Sequence, residues 1–174
     1  MLIARKRKLI EDAVAEVLSR CEVDAPPVPV HRIAKWLGIE IKMEPFRDGQ
    51  MSGILVREEG KAVIGVNSLD APTRQRFTVA HEIGHFLLHE GNRIFVDRTY
   101  KVSMRSPLSS QGTDYEEIEA NAFAGALLIP GRFLIKDLTD DGIDIDDAKA
   151  VARLARKYNV SPQAMSLRLI NWAQ

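Results

Sequence analysis

Between Phe77 and Leu88 apolar residues occupy most positions of a helical wheel, and the few polar side chains, Thr78, His81, Glu82 and His85, gather on one strip. Such a segment predicts a helix buried nearly all round, the strongest constraint this chain places on its own fold. His81 and His85 stand one turn apart on the same face with Glu82 beside them, in the order His-Glu-Ile-Gly-His. A single buried histidine is commonly satisfied by a backbone carbonyl. Two of them plus a carboxylate on one buried strip are costly unless they share a partner, and a metal ion gripped by both imidazoles is that partner.

Neutral imidazoles suit zinc, and a catalytic zinc takes three protein ligands and keeps a fourth position open. There it lowers the pKa of water to about 7 and polarises a carbonyl, while Glu82 takes the proton and hands it to the leaving amine. The chemistry is metal-assisted peptide hydrolysis. The third ligand is sought in the helix-like run from Asp114 to Leu128, which stops before Pro130. On its wheel Glu117, Asn121, Ala124 and Leu128 share a face, whereas Glu119 lies about 160° from Glu117, so Glu117 is the better ligand. Asn121, one turn on, is placed to hydrogen-bond a ligating histidine and fix its tautomer. Glu116 and Glu119 read as acidic residues in the first turns of a helix, where the macrodipole favours them. His89 follows His85 by one turn but has drifted about 80° from His81, which predicts a surface histidine rather than a fourth ligand.

The run Arg76-Phe-Thr-Val-Ala80 leads into His81-Glu-Ile-Gly-His85, and a second motif, Glu-x-Glu-Ala-Asn-x-Phe-Ala-x-x-Leu-Leu-x-Pro, spans Glu117 to Pro130. Together, in this order and with this gap, they resemble the ImmA/IrrE family of zinc metallopeptidases. The likeness runs from the amino-terminal helix to the Val160-Ser161 region. It implies one zinc per chain held by His81, His85 and Glu117 in a gluzincin-like set, with Glu82 as catalytic base. It also implies a protein substrate, a helix-turn-helix transcriptional repressor encoded nearby, whose cleavage releases its genes. Larger, damage-sensing members of that family carry a further carboxy-terminal domain that these 174 residues do not include.

A chain of 174 residues suffices for one domain with a small appendage. Lys plus Arg and Asp plus Glu are balanced at 24 each, so no overall field draws in nucleic acid or a membrane. Cys21 is alone, which excludes an intramolecular disulfide and matches a reducing compartment. With neither a leader-like apolar region nor ~18 consecutive apolar residues, the expectation is a cytoplasmic protein.

Ile10, Val14, Val17 and Cys21 keep helical spacing, and the basic cluster from Arg5 to Lys8 reads as a solvated helix end. After a proline-rich break, Val30 to Leu37 predicts a short helix closed by Gly38, with His31 on its surface. Ile39 to Met43 alternates as a half-buried strand does, and a hairpin follows with strands at Gly53 to Arg57 and Ala62 to Val66. The strand before Asn67 is the expected sheet edge, where a substrate backbone would add as a further strand; the alternative is that the hairpin only covers the metal helix. Ile94, Val96 and Tyr100 fit an edge strand, and the polar stretch from Ser103 to Thr113 fits a flap over the metal. Tyr100, Arg105 and Tyr115 are the candidate oxyanion donors.

Val151 to Tyr158, a turn at Asn159, and Ser161-Pro-Gln onward to Leu169 have the cadence of helix, tight turn, helix, with Ser161 as N-cap. A base-reading helix presents Arg, Asn or Gln near its start, and here only Gln163 comes early while Arg168 comes late. A structural pair or substrate-docking surface is expected over specific DNA recognition. The expected fold is α+β: a small twisted β-sheet packed against helices, a zincin-like core in residues 1–135, and a helix-turn-helix-like pair in residues 136–174 packed on it. The rival is a DNA-binding regulator or repressor partner with a structural or weakly active zinc site.

Overall fold

The computed structural model describes residues 2–47, 51–58, 60–89, 94–98, 111–140 and 147–172. Helix α1 (Leu2–Arg20) turns Ile10, Val14, Val17 and Leu18 into the core, as its spacing requires. Helix α2 (Val30–Trp36) buries Val30, Ile33 and Ala34 and leaves His31 exposed. Gly38 then takes φ +77°, a left-handed turn that glycine adopts without strain, and feeds strand β1 (Ile39–Glu44).

Strand β2 (Met51–Glu58) and strand β3 (Lys61–Asn67) form the expected hairpin, with Leu55 opposite Ile64. Strand β1 pairs with β3 in parallel, and strand β4 (Ile94–Arg98) pairs antiparallel with β2, giving the order β1-β3-β2-β4. The strand before Asn67 is therefore internal. The described edges are β1 and β4, which corrects the placement expected from sequence. Strand β1 is also more exposed than its alternation implied, because only Ile39 is fully covered.

Helix α3 (Pro72–Leu88) lies against the sheet, and all eight residues from Thr78 to His85 are buried. Two glycines set how closely its neighbours approach. A Cβ on Gly53 of β2 would lie 2.3 Å from Thr78 Cγ2 and 3.0 Å from Glu82 Oε1, so the strand passes directly over the helix only because that position is bare. A Cβ on Gly84 would lie 3.2 Å from Ala120 Cα, Ala120 O and Phe123 Cβ, all on helix α4 (Gln111–Leu128). The isoleucine-glycine step of the histidine motif thus sets the spacing between α3 and α4.

Helix α5 (Gly131–Asp140) continues the core through Phe133 and Leu134. No single helix among the described residues is long and apolar enough to cross a membrane. Helix α6 (Ala148–Tyr158) is capped by Asp147, whose Oδ1 accepts from Lys149 N at 2.9 Å. Asn159 takes φ 53°, and Ser161 Oγ accepts from Ala164 N at 3.1 Å to start helix α7 (Pro162–Trp172). Sheet, α3 and α4 with flanking helices make the α+β architecture read from the sequence.

Candidate metal centre

Helix α3 supplies His81 and His85, and α4 supplies Glu117. His85 Nε2 lies 3.0 Å from His81 Nε2 and 3.1 Å from Glu117 Oε1, and His81 Nε2 lies 3.3 Å from Glu117 Oε2. Ligands about 2.0–2.2 Å from a tetrahedral ion stand roughly 3.4 Å apart, so three donors converge at nearly the separation one ion imposes. At most one proton fits between two imidazole nitrogens, so the pair does not satisfy itself with hydrogen bonds in the way separate buried histidines do. The donor set of two imidazoles and one carboxylate fits a divalent ion of the zinc type and leaves a position open. Both histidine side chains are at most 2% exposed and Glu117 is 33% exposed, so the cluster opens to solvent on the carboxylate side.

Burial pushes the His85 imidazole below its usual value, outweighing the raising effect of its hydrogen bond with Glu117, and so keeps the ring neutral. Burial alone would raise Glu117. The hydrogen bonds of His81 and His85 lead the opposing effects, and hold it at about 2. Both shifts favour the protonation states in which these groups bind a cation.

Asn121 Oδ1 lies 3.1 Å from His81 Nδ1, the pairing expected from its place one turn beyond Glu117. Glu82 is fully buried on the same strip, under β2 where Gly53 leaves room for its carboxylate. At the end of α3, the Arg57 guanidinium of β2 donates to the carbonyls of His85, Phe86 and His89 at 2.8, 2.9 and 2.8 Å, tying metal helix to sheet.

Two sequence readings need correction. His89 is not on the surface: it is 7% exposed and its Nδ1 lies 3.1 Å from His85 Nδ1. Glu119 is more than a first-turn acid, since it meets His89 at 3.2 Å and Lys6 at 2.6 Å, and the Lys6 hydrogen bond is the leading cause that holds it below the usual carboxylate range. Among the oxyanion candidates, Tyr100 and Arg105 lie outside the described residues, as does most of the expected flap. Tyr115 is 63% exposed with its ring beside Lys6, on the side of α4 away from Glu117, and is not brought to the donor cluster.

An α+β domain in which a His-Glu-x-x-His helix faces a carboxylate from a second helix has the architecture of the metallopeptidase class. The chain belongs to the Peptidase_M78 family, described as the IrrE N-terminal-like domain, whose profile matches residues 34–169. It is 34% identical over 127 residues to the radiation response metalloprotease IrrE of Deinococcus deserti, covering 71% of this chain and 40% of that protein. To the radiation response metalloprotease IrrE of Deinococcus radiodurans it is 30% identical over 129 residues, covering 71% of this chain and 34% of that one. It shares its fold with a Mycobacterium tuberculosis transcriptional regulator, at a TM-score of 0.60 and 16% identity over 90% of this chain and 44% of that one. The chain thus spans less than half the length of each of these relatives.

Proposed function

We propose that this chain is a zinc-dependent endopeptidase of the ImmA/IrrE type, acting in the cytoplasm on a helix-turn-helix transcriptional repressor and so derepressing its genes. The observation that carries the reading is the convergence of His81, His85 and Glu117 within 3.3 Å of one another, with Glu82 on the same buried strip. Zinc held there supplies Lewis-acid polarisation of the scissile carbonyl and makes water acidic enough to ionise near neutral pH. Glu82 is the base that takes the water's proton and delivers it to the leaving amine. Asn121 holds His81 with its Nδ1 proton turned away from the donor cluster. Strand β4, an edge of the sheet among the described residues and beside the strand that covers Glu82, is where a substrate backbone adds by main-chain hydrogen bonds. Residues 1–135 form the peptidase core, and residues 136–174 are an appendage offering a substrate-docking surface.

The rival, a DNA-binding regulator, loses support at α7. Arg168 is buried there and donates to Ile129 O at 3.1 Å and to Glu11 Oε1 at 2.6 Å, so it is spent inside the protein. The outward positions Leu167 and Ile170 are apolar and exposed, a surface suited to protein rather than phosphate.

The test is to mix zinc-loaded protein with the repressor encoded beside it, with and without a chelator, and to repeat with Glu82→Gln. Discrete fragments that the chelator abolishes are expected, and cleavage in the variant should fall by about 100-fold or more with zinc retained. Undiminished cleavage by Glu82→Gln removes it from the mechanism. An intact repressor, together with specific DNA binding that persists in that variant, would install the rival.

A further inference from the structure

Behind the donor cluster a second line of polar side chains runs from His85 outward. His85 Nδ1 lies 3.1 Å from His89 Nδ1, His89 Nε2 lies 3.2 Å from Glu119 Oε2, and Lys6 Nζ donates to Glu119 Oε1 at 2.6 Å. The two imidazoles are buried, Glu119 is a quarter exposed and Lys6 half exposed. Proton positions follow from the outer end inward. Lys6 is a donor only, so Glu119 meets it as an acceptor, and its other carboxylate oxygen accepts from His89 Nε2–H. A neutral imidazole protonated at Nε2 has a bare Nδ1, which accepts from His85 Nδ1–H. With a metal ion in the cluster, that leaves the lone pair of His85 on Nε2, the atom facing His81 and Glu117.

We propose that His89, Glu119 and Lys6 are positioning residues: a relay that fixes His85 as its Nδ1-protonated tautomer and aims Nε2 at the metal. The inference rests on the metal-centre reading above. His81 is backed by the neutral amide of Asn121, whereas His85 is backed through a second imidazole by an anion. An amide orients a ring; an anion at the end of a hydrogen-bonded chain also raises the basicity of the ligating nitrogen. The two histidine ligands are therefore unequal, and His85 is the stronger donor. The geometry also gives α4 two tasks. Glu117 closes the metal side of His85 and Glu119, two residues on, closes its back.

The experiment combines long-range proton–nitrogen correlation spectra of histidine-labelled protein with zinc affinity from chelator competition. It compares the wild type with Glu119→Gln, Glu119→Ala and His89→Ala. In zinc-loaded wild type His85 should be protonated at Nδ1, and His89 protonated at Nε2 and bare at Nδ1. Glu119→Gln keeps an acceptor oxygen but loses the charge, so the tautomer should persist. Glu119→Ala should mix the His89 tautomers. Zinc affinity should fall in the order wild type, Gln, Ala, reaching about 10-fold to 100-fold at the bottom. Far-ultraviolet circular dichroism should be unchanged in the Glu119 variants, which keep the test alive if His89→Ala misfolds. Affinity within about twofold of wild type in Glu119→Ala, or His89 found protonated at Nδ1 in the zinc-loaded wild type, overturns the relay. A wild type that binds zinc with these spectra yet cuts no peptide overturns the peptidase reading and supports the relay. A wild type that binds no zinc overturns both.

Discussion

Replacing Gly84 by alanine adds one methyl group at the closest approach of α3 and α4. The new carbon would sit 3.2 Å from Ala120 Cα, Ala120 O and Phe123 Cβ, and two of those three atoms are backbone. Comfortable carbon contacts lie at about 3.5–4.0 Å, so α4 has to withdraw by a few tenths of an ångström. Overpacking of this kind costs about 1–3 kcal/mol, and alanine regains about 1 kcal/mol of helix propensity. The metal-free protein should therefore lose roughly 0–2 kcal/mol. Zinc binding should lose more than that modest change suggests. Glu117 rides on α4 one turn before Ala120, and metal–ligand distances tolerate only about 0.2 Å. An affinity loss of about tenfold or greater is expected, read by competition against a coloured chelator alongside urea denaturation of the apo form. Gly125→Ala is the control. It lies on the same α4 with nothing among the described residues within 4 Å of its added Cβ, so it should gain stability and leave zinc binding alone. A Gly84→Ala protein that is more stable by about 1 kcal/mol and binds zinc as the wild type does would refute the claim that this glycine sets the α3–α4 spacing.

Three further outcomes are expected. Gly53→Ala forces a carbon to 2.3 Å from Thr78 Cγ2 and should destabilise the protein by at least ~1–3 kcal/mol in urea denaturation; a wild-type midpoint would contradict the close passage of β2 over α3. Burial depresses the folded-state pKa of His85 below its usual 6.5, so on acidification the unfolded chain takes up a proton first. The resulting stability is present above pH 6.5 and lost below it, and the drop in urea midpoint of metal-free protein between pH 7.5 and 5.5 should be smaller in His85→Gln. Equal drops would show that His85 is not the titrating group. Arg168→Ala strands the Ile129 carbonyl and Glu11, and should cost about 1–3 kcal/mol without changing affinity for DNA; loss of a sequence-specific DNA complex would reverse the assignment of α7.

The candidate metal cluster was legible because each of its residues depends on spacing within one helix. His81, His85, Glu117 and Asn121 occupy i, i+4 positions that a wheel reports directly, and the structure brings all four together. The same wheel misled at His89. Its drift was measured from His81, whereas its partner is His85, one turn away. Glu119 was hidden for a different reason: nothing local to α4 shows that His89, just past the end of α3, and Lys6 of α1 arrive at it. The hairpin was readable from alternation and its turn, but strand order was not. The parallel pairing of β1 with β3 and the addition of β4 beyond β2 are long-range choices that alternation does not encode, so β3 was placed at an edge it does not occupy.

Because the third metal donor arrives on a separate helix, the centre has a topological effect distinct from its chemistry. An ion held jointly by His85 and Glu117 closes a loop of about 30 residues; by the chain-entropy account of crosslinks, closure of that length is worth about 4 kcal/mol against the open chain. An ion bound there would thus be a removable cross-link. Removing an ion held there would lower the stability of the folded chain by that linkage, so resistance to proteolysis would rise and fall with the free concentration of the metal.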